Sequence, residues 1–282
     1  MTPTAENPKK VTVLMGSPHK GGATYTAARK LLDDLESYGD SRGEIVALSD
    51  YNVGVCRGCK VCFARGEEFC PLKDDRDVLI GKMMAADAVV FASPNYSWNV
   101  SGVMKVFLDR LGFVFHRPRF HGKTATSIVV QGMFRGSKIR EYLGFVAGGL
   151  GFRVVKGSVI RTLEPMSDKA LEKMDKALAA QSKRLHDQLL RPAYPAPSLF
   201  KLMMFRMSRT GIKTSASKEE RDYAFYRDQG WFESDFYYPT HIGPLKRIVG
   251  AFSDWVAANT SMFEVAGETG GARPPSSGSA PQ

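Results

Sequence analysis

At 282 residues, with 43% hydrophobic and 24% charged side chains, the chain has the make-up of a globular protein with room for one large domain and an extension. Its formal charge of +10 suits anionic ligands and partners, but it carries no zinc-finger spacing, RNA-binding aromatic motif or basic heptad, so nucleic acid is not an expected partner. No stretch approaches the ~20 apolar residues needed to span a bilayer, and the polar start shows no signal-peptide pattern, so a cytoplasmic, reducing setting without membrane contact is expected.

The first element is the β-branched run at residues 11–15, which ends in Gly16-Ser17-Pro18-His19-Lys20-Gly21-Gly22-Ala23-Thr24. A helical pattern follows, with Ala27, Ala28, Leu31, Leu32 and Leu35 at helical spacing. A strand, a Gly/Ser/Thr loop and a helix start form an anion site, because helix N-terminal amides point at the ligand and glycines let the backbone approach it. Ser17 and Thr24 add hydroxyls and Lys20 adds charge. The loop fits neither the Walker pattern nor the Gly-x-Gly-x-x-Gly dinucleotide pattern, which disfavours ATP and a Rossmann-type NAD site. The bland alternative is a tight turn with no ligand.

Residues 44–48 read as a second strand. After it come all four cysteines of the chain, Cys56, Cys59, Cys62 and Cys70, within fifteen residues. In a reducing compartment such a group binds metal or does redox chemistry rather than stapling the fold. Four thiolates suit a cubane iron–sulfur cluster, and Pro71 follows the last cysteine as it does in bacterial ferredoxins, although the final gap here is wider. Zinc in a four-cysteine site and unligated or disulfide-paired thiols stay open at this point.

Residues 74–86 are helical, with Asp74 and Asp75 at the start as the helix dipole favours. Residues 88–92 are a continuous apolar strand of the doubly buried kind, opening into Ser93-Pro94-Asn95-Tyr96-Ser97-Trp98-Asn99-Val100-Ser101-Gly102. A helix is expected over 103–115 and a strand over 124–130, ending at Gln131-Gly132. A further helix from about 137, a strand near 153–160 and a long helix over 167–190 complete the alternation. Alternating βα units predict an open parallel sheet whose ligands sit beyond the carboxyl ends of the strands, where these loops lie. Lys105, Asp109 and Arg110 read as a structural ion-pair set, and His19, His116 and His121 as surface or packing residues.

At these residues the sequence resembles the iron–sulfur flavoproteins within the NADPH-dependent FMN reductase branch of the flavodoxin-like superfamily. The resemblance spans about residues 10–190. It rests on Gly16-Ser17-Pro18 through Thr24, the cysteine group with Asp74-Asp75, Ser93-Pro94-x-Tyr96, Ser101-Gly102-x-Met104-Lys105 and Asp109-Arg110. It implies an α/β, flavodoxin-like, doubly wound five-stranded parallel sheet of order 2-1-3-4-5. It places FMN phosphate on Ser17, Lys20, Gly22, Ala23 and Thr24, and the flavin ring against Pro94, Asn95, Tyr96, Trp98, Asn99 and Val100, with Gly132 near its edge. His19 and Ala23 stand where the family often has Arg and Asn. The resemblance further implies a 4Fe–4S cluster on the four cysteines, NAD(P)H as a donor, a ferredoxin-like redox partner, and a dimer or tetramer in which a cluster reaches a flavin across the interface.

Beyond the Pro-rich breaker 191–197, a basic, Met-rich helix over 199–209 is expected to pack on its own domain or on a mate, with a membrane-anchor role as the lesser reading. Helices over 219–229 and 244–258 are joined by an aromatic stretch, Trp231 to Pro239, expected to be buried against something such as the flavin or an oligomer interface. The organisation expected is a flavodoxin-like unit over 1–190, a mainly helical extension over 191–264 and a disordered tail over 265–282. The function expected is a flavin-dependent oxidoreductase exchanging electrons between FMN and a cluster. The alternatives are an NAD(P)H-dependent FMN or quinone reductase without a cluster, and a non-enzymatic redox sensor.

Overall fold

In the computed structural model, which describes residues 7–163 and 165–260, the β-branched runs pair into one parallel sheet. β1 (Lys9–Met15), β2 (Ser41–Ala47), β3 (Ala88–Pro94) and β4 (Thr124–Gln131) lie in the order β2-β1-β3-β4. The fifth position, beside β4, is shared by β5 (Arg153–Val154) and β6 (Ser158–Arg161). This is the flavodoxin-like order 2-1-3-4-5. The tail expected over 265–282 lies outside the described residues.

The helices follow from the periodicities. α1 (Ala23–Glu36), α2 (Val61–Ala64), α3 (Arg76–Ala85), α4 (Gly102–Asp109), α5 (Gly112–His116), α6 (Gly136–Gly149) and α7 (Asp168–Leu189) accompany the sheet. Successive strand residues point to opposite faces, so each strand feeds two cores. Val11, Val13, Val90 and Ile128 pack against Leu31 of α1 and Leu178 of α7. Leu14, Val89, Phe91 and Val129 pack against Leu79, Met104, Phe107 and Leu143 on the other side. Full burial of each such side chain is worth about 1.5–3 kcal/mol, which fixes the register of every strand.

Two elements are interrupted where one continuous element is expected. The helix over 103–115 is two, because Leu111 leaves helical geometry (φ −92°, ψ 7°) and redirects α5. The last strand is broken after Val154, and Gly157 explains why. A Cβ there would stand 2.0 Å from the Ser127 carbonyl oxygen, so the chain passes β4 at a distance open to glycine alone.

After the Pro-rich stretch come α8 (Leu199–Ser215), α9 (Arg221–Asp228) and α10 (Pro244–Asn259). Ser198 caps α8 by accepting from the Lys201 amide. α8 and α10 pack together, with Arg206 and Arg209 both paired to Asp254. Leu202, Phe205, Tyr226, Trp231, Phe232 and Phe236 form a third, largely aromatic core. The aromatic stretch is therefore buried, as expected. Its partner is His121, at the amino-terminal end of β4, which stacks on Tyr237 at 4.6 Å. No helix among the described residues is long and apolar enough to cross a membrane.

His121 makes this seam pH-sensitive. Burial, then the charge of Lys201, push its pKa down to about 4, although the Gly151 and Pro118 backbone opposes them. An unfolded histidine takes up its proton near pH 6.5, so the seam is fully stable above that value and loses stability as pH falls toward the native pKa. The expected loss is on the order of 3 kcal/mol between the two values. Denaturant midpoints measured from pH 7 to pH 4 should fall accordingly, and His121→Phe should flatten the slope. An unchanged slope in the variant would refute the assignment.

Candidate functional site

The sheet order reverses between β1 and β3, which opens a crevice at their carboxyl ends. Three loops meet there. The loop after β1 carries buried Ser17 and Thr24, and it enters α1 through Gly22, a cap residue with no side chain of its own, with no acid in the first turn of the helix. A glycine cap and a first turn without acidic side chains suit an anion at the dipole's positive end. Lys20, expected to add charge here, lies at the rim and pairs with Asp50 at 2.8 Å.

The loop after β3 is fixed to the first loop by Ser101, whose Oγ donates to the Gly16 carbonyl at 2.6 Å and accepts from the Met104 amide as the cap of α4. Gly16 lets the two loops approach closely: a Cβ there would lie 2.8 Å from Met104 Cβ and from Ser101 Oγ. Within this loop Tyr96 and Asn99 exchange backbone hydrogen bonds at 3.0 Å in both directions. The central residues Ser97 and Trp98 both have left-handed backbone (φ 49° and 65°), the arrangement of a type I′ turn that glycine or asparagine usually fills. Holding two other residues there costs about 1–3 kcal/mol each, a strain that clusters at ligand sites.

The third loop, after β4, is tied to the second. The Asn95 amide donates to the Val130 carbonyl at 2.7 Å, and Asn95 Nδ2 donates to the Phe134 carbonyl at 3.0 Å. Trp98 stacks on Phe134 at 4.3 Å, and both rings stand about half exposed. Asn95 Oδ1 is buried with no hydrogen-bond partner, a costly state that a donor on a bound group would relieve. Pro94 and Val100 are buried, Tyr96, Asn99 and Gly132 exposed. The structure thus brings the twelve non-cysteine residues singled out in the sequence to one end of the sheet. Sequence reasoning missed Phe134 and Gln131, whose Oε1 accepts from the Gly136 amide at 2.6 Å and shapes the third loop. The exposed pair Met133-Phe134 between two glycines was the available signal.

The cysteine loop leaves the sheet after β2 and is clamped at its neck. Asp75 Oδ2 accepts from the Asn52 amide and Asp74 Oδ2 from the Gly54 amide. Arg110, which the sequence grouped with Lys105 and Asp109, instead pairs in a buried position with Asp74 and reaches the Cys70 Sγ at 3.6 Å. Lys105 and Asp109 do pair, at the surface. Gly58 and Lys60 are both left-handed (φ 64° and 57°), so the chain between Cys56 and Cys62 curls tightly.

Around this curl stand arginines that the sequence did not single out. Arg117, with no exposed side-chain surface, donates to the Cys62 carbonyl and to Glu67, and pairs with Asp222 of α9. Arg119 takes the other Glu67 oxygen, and Arg76 donates to the Glu67 carbonyl. Burial works to raise the Glu67 carboxyl, but its own backbone amide and the two guanidiniums hold it below the usual range. Burial pushes the Cys62 thiol up, Arg117 opposes, and the Cys56 and Cys70 thiols add to the rise. All four thiols are free; Cys56 and Cys59 are exposed, Cys62 and Cys70 half-buried. As a donor set, four soft sulfurs suit an iron–sulfur cluster or zinc. Among the described residues, however, no three His, Cys, Asp or Glu side chains stand together as a ligand set.

Removing one member of a buried charge network strands the others, at a cost of about 3–5 kcal/mol. Asp222→Ala is expected to lower stability by that amount and to speed the reaction of Cys62 with a thiol reagent. An unchanged Cys62 rate would show that the extension does not brace the loop.

The molecule compares with known proteins as follows. A model of the family described as NADPH-dependent FMN reductase matches residues 9–162. An iron-sulfur flavoprotein of Archaeoglobus fulgidus is 32% identical over 232 residues, covering 79% of this chain and 99% of that protein. An iron-sulfur flavoprotein of Clostridioides difficile is 31% identical over 153 residues, covering 51% and 67%. Among solved structures, RosB with a bound flavin-derived intermediate overlays with a TM-score of 0.53 at 14% identity, covering 94% of this chain and all of that one. The overlay reaches past the sheet into the helical extension.

Proposed function

The chain belongs to the NADPH-dependent FMN reductase family, and on that premise we propose that this flavin-dependent oxidoreductase holds FMN where the loops after β1, β3 and β4 meet and a 4Fe–4S cluster on the cysteine loop. The observation that carries the flavin site is the convergence of those loops at the point where the strand order reverses. FMN supplies two-electron exchange with NAD(P)H and one-electron exchange with a cluster. The glycine-capped start of α1, with Ser17, Gly22, Ala23 and Thr24, holds the phosphate, and Lys20 adds charge at the rim. Pro94, Tyr96, Trp98, Asn99 and Val100 wall the ring, with Gly132 at its edge, and the unpartnered Asn95 Oδ1 accepts from it.

Three features support the cluster. Four thiols share one curled loop, the buried Arg110 donates to the Cys70 Sγ, and the two relatives above carry iron–sulfur names. The second reading, a reductase without a cluster, is favoured by the separation of the thiols. Anaerobic purification followed by iron, sulfide, zinc and FMN analysis decides between them. About four irons and four sulfides per FMN are expected, with iron lost and FMN kept in Cys59→Ser. FMN with zinc or no metal would sink the cluster, and a chain without flavin would sink the site.

A homo-oligomer belongs to the same reading. α10 exposes Leu245, Ile248, Phe252 and Trp255 at heptad spacing, flanked by Ala251 and Ala258 rather than charges. Two copies of a +10 chain meet there without like-charge repulsion, whereas an acidic partner would be matched by basic flanks. The charge elsewhere suits an acidic redox partner such as a ferredoxin. Light scattering is expected to give a dimer or tetramer that Phe252→Asp converts to a smaller species; a monomeric wild type would refute the interface.

A further inference from the structure

A cavity of about 630 Å³ lies between α6 and the C-terminal extension, far from the flavin loops. It opens beside Gly122 and Arg153, at the amino-terminal end of β4, while the flavin loops lie at the carboxyl end. The eight residues of β4 separate the two by roughly 23 Å. The volume is that of a small-molecule site.

The wall is apolar. Phe145 and Gly148 of α6 face Phe200 and Met204 of α8 across it, with Tyr238 closing one side. Phe145 and Phe200 are 73% and 66% exposed, which is costly for side chains of this size unless something covers them. The space exists because α6 carries glycines on this side. A Cβ at Gly148 would meet only Val154, at 3.9 Å, so packing does not demand the glycine.

The polar part of the lining has one sign. Lys201 and Arg153 both border the cavity, and no Asp or Glu does. Lys201 Nζ reaches only the Phe152 carbonyl, at 3.5 Å, and Arg153 Nη1 the Pro192 carbonyl, at 3.1 Å. Among the described residues neither has a carboxylate partner, although most other cations in the molecule's seams have one. Burial, and then the Arg153 charge, lower the Lys201 ammonium, so the two cations are close enough to repel. His121, at the inner end, stays neutral at pH 7. Two uncompensated cations beside a hydrocarbon-lined space recognise a negative head on an apolar body.

We propose that this cavity is a binding site for a monocarboxylate with an apolar tail, its carboxylate on Lys201 and Arg153 and its tail between α6 and α8. A cationic or neutral amphiphile satisfies the wall and leaves the two charges unpaired. Occupancy joins the sheet domain to the extension, so the bound form is harder to unfold.

Calorimetric titration of the full-length protein with dodecanoate, and with dodecyltrimethylammonium as the same tail on a positive head, tests this. Dodecanoate is expected to bind at one site per chain, at least tenfold more tightly than the cation and tenfold more tightly than octanoate, and to raise the melting temperature. Lys201→Met should cost at least tenfold for dodecanoate and nothing for the cation. Gly148→Leu should abolish binding of both. FMN content should be unchanged in the two variants, which establishes that they fold. Equal affinity for the two heads, binding that survives Gly148→Leu, or no binding because a second copy fills the groove would each overturn the proposal.

Discussion

Arg117 is the residue on which the arrangement of the molecule turns. A guanidinium with no exposed side-chain surface must have acceptors inside the protein, and here they come from two parts of the chain far apart in sequence. The Cys62 carbonyl and Glu67 belong to the cysteine loop, Arg117 itself closes α5, and Asp222 opens α9 in the extension. One buried charge thus sets where the thiols stand relative to the sheet and why the extension docks on that side. The depressed Glu67 carboxyl is the local signature of the arrangement.

The two candidate cofactor regions are built differently. The loops after β1, β3 and β4 are positioned by short backbone and hydroxyl hydrogen bonds to rigid strand ends, with strain concentrated in the Ser97-Trp98 turn. The cysteine loop has no strand of its own and is held by ions. Asp74 and Asp75 clamp its neck and arginines line its inner face. A site meant to keep a planar group in one orientation gains from the first kind of support. A loop that must close around a metal needs the freedom of the second.

The sheet was legible because the strands are short β-branched runs between helices of clear period, and because each loop of interest directly follows a strand. The cysteine group was legible from spacing alone. What the sequence could not reveal were partnerships over long separations. Nothing in Arg117 or Asp222 announces that they meet across 105 residues. Arg110 directly follows Asp109, which sits at helical spacing from Lys105, yet the partner of Arg110 is Asp74. The break at Leu111 was hidden by an apolar pattern that continues across it. The break at Gly157 was marked by the glycine, but only the Ser127 carbonyl beside it gives the reason. Tyr237 and Tyr238 read as buried aromatics, while the identity of their partner, His121, depends on the tertiary fold.

The tie between Arg117 and Asp222 also sets an order of events in the making of the protein. Cys70 emerges from the ribosome 152 residues before Asp222 (222 less 70), and Arg117 emerges between them. At common synthesis speeds of about 5–20 residues per second, the thiols wait roughly 8 to 30 seconds for the last acceptor to arrive. During that interval the cysteine loop is attached at its neck but unbraced on its far side. The nascent chain therefore passes through a stage in which its cysteine loop is at its most open, to the assembly machinery and to oxidants alike, before the C-terminal third docks beside it.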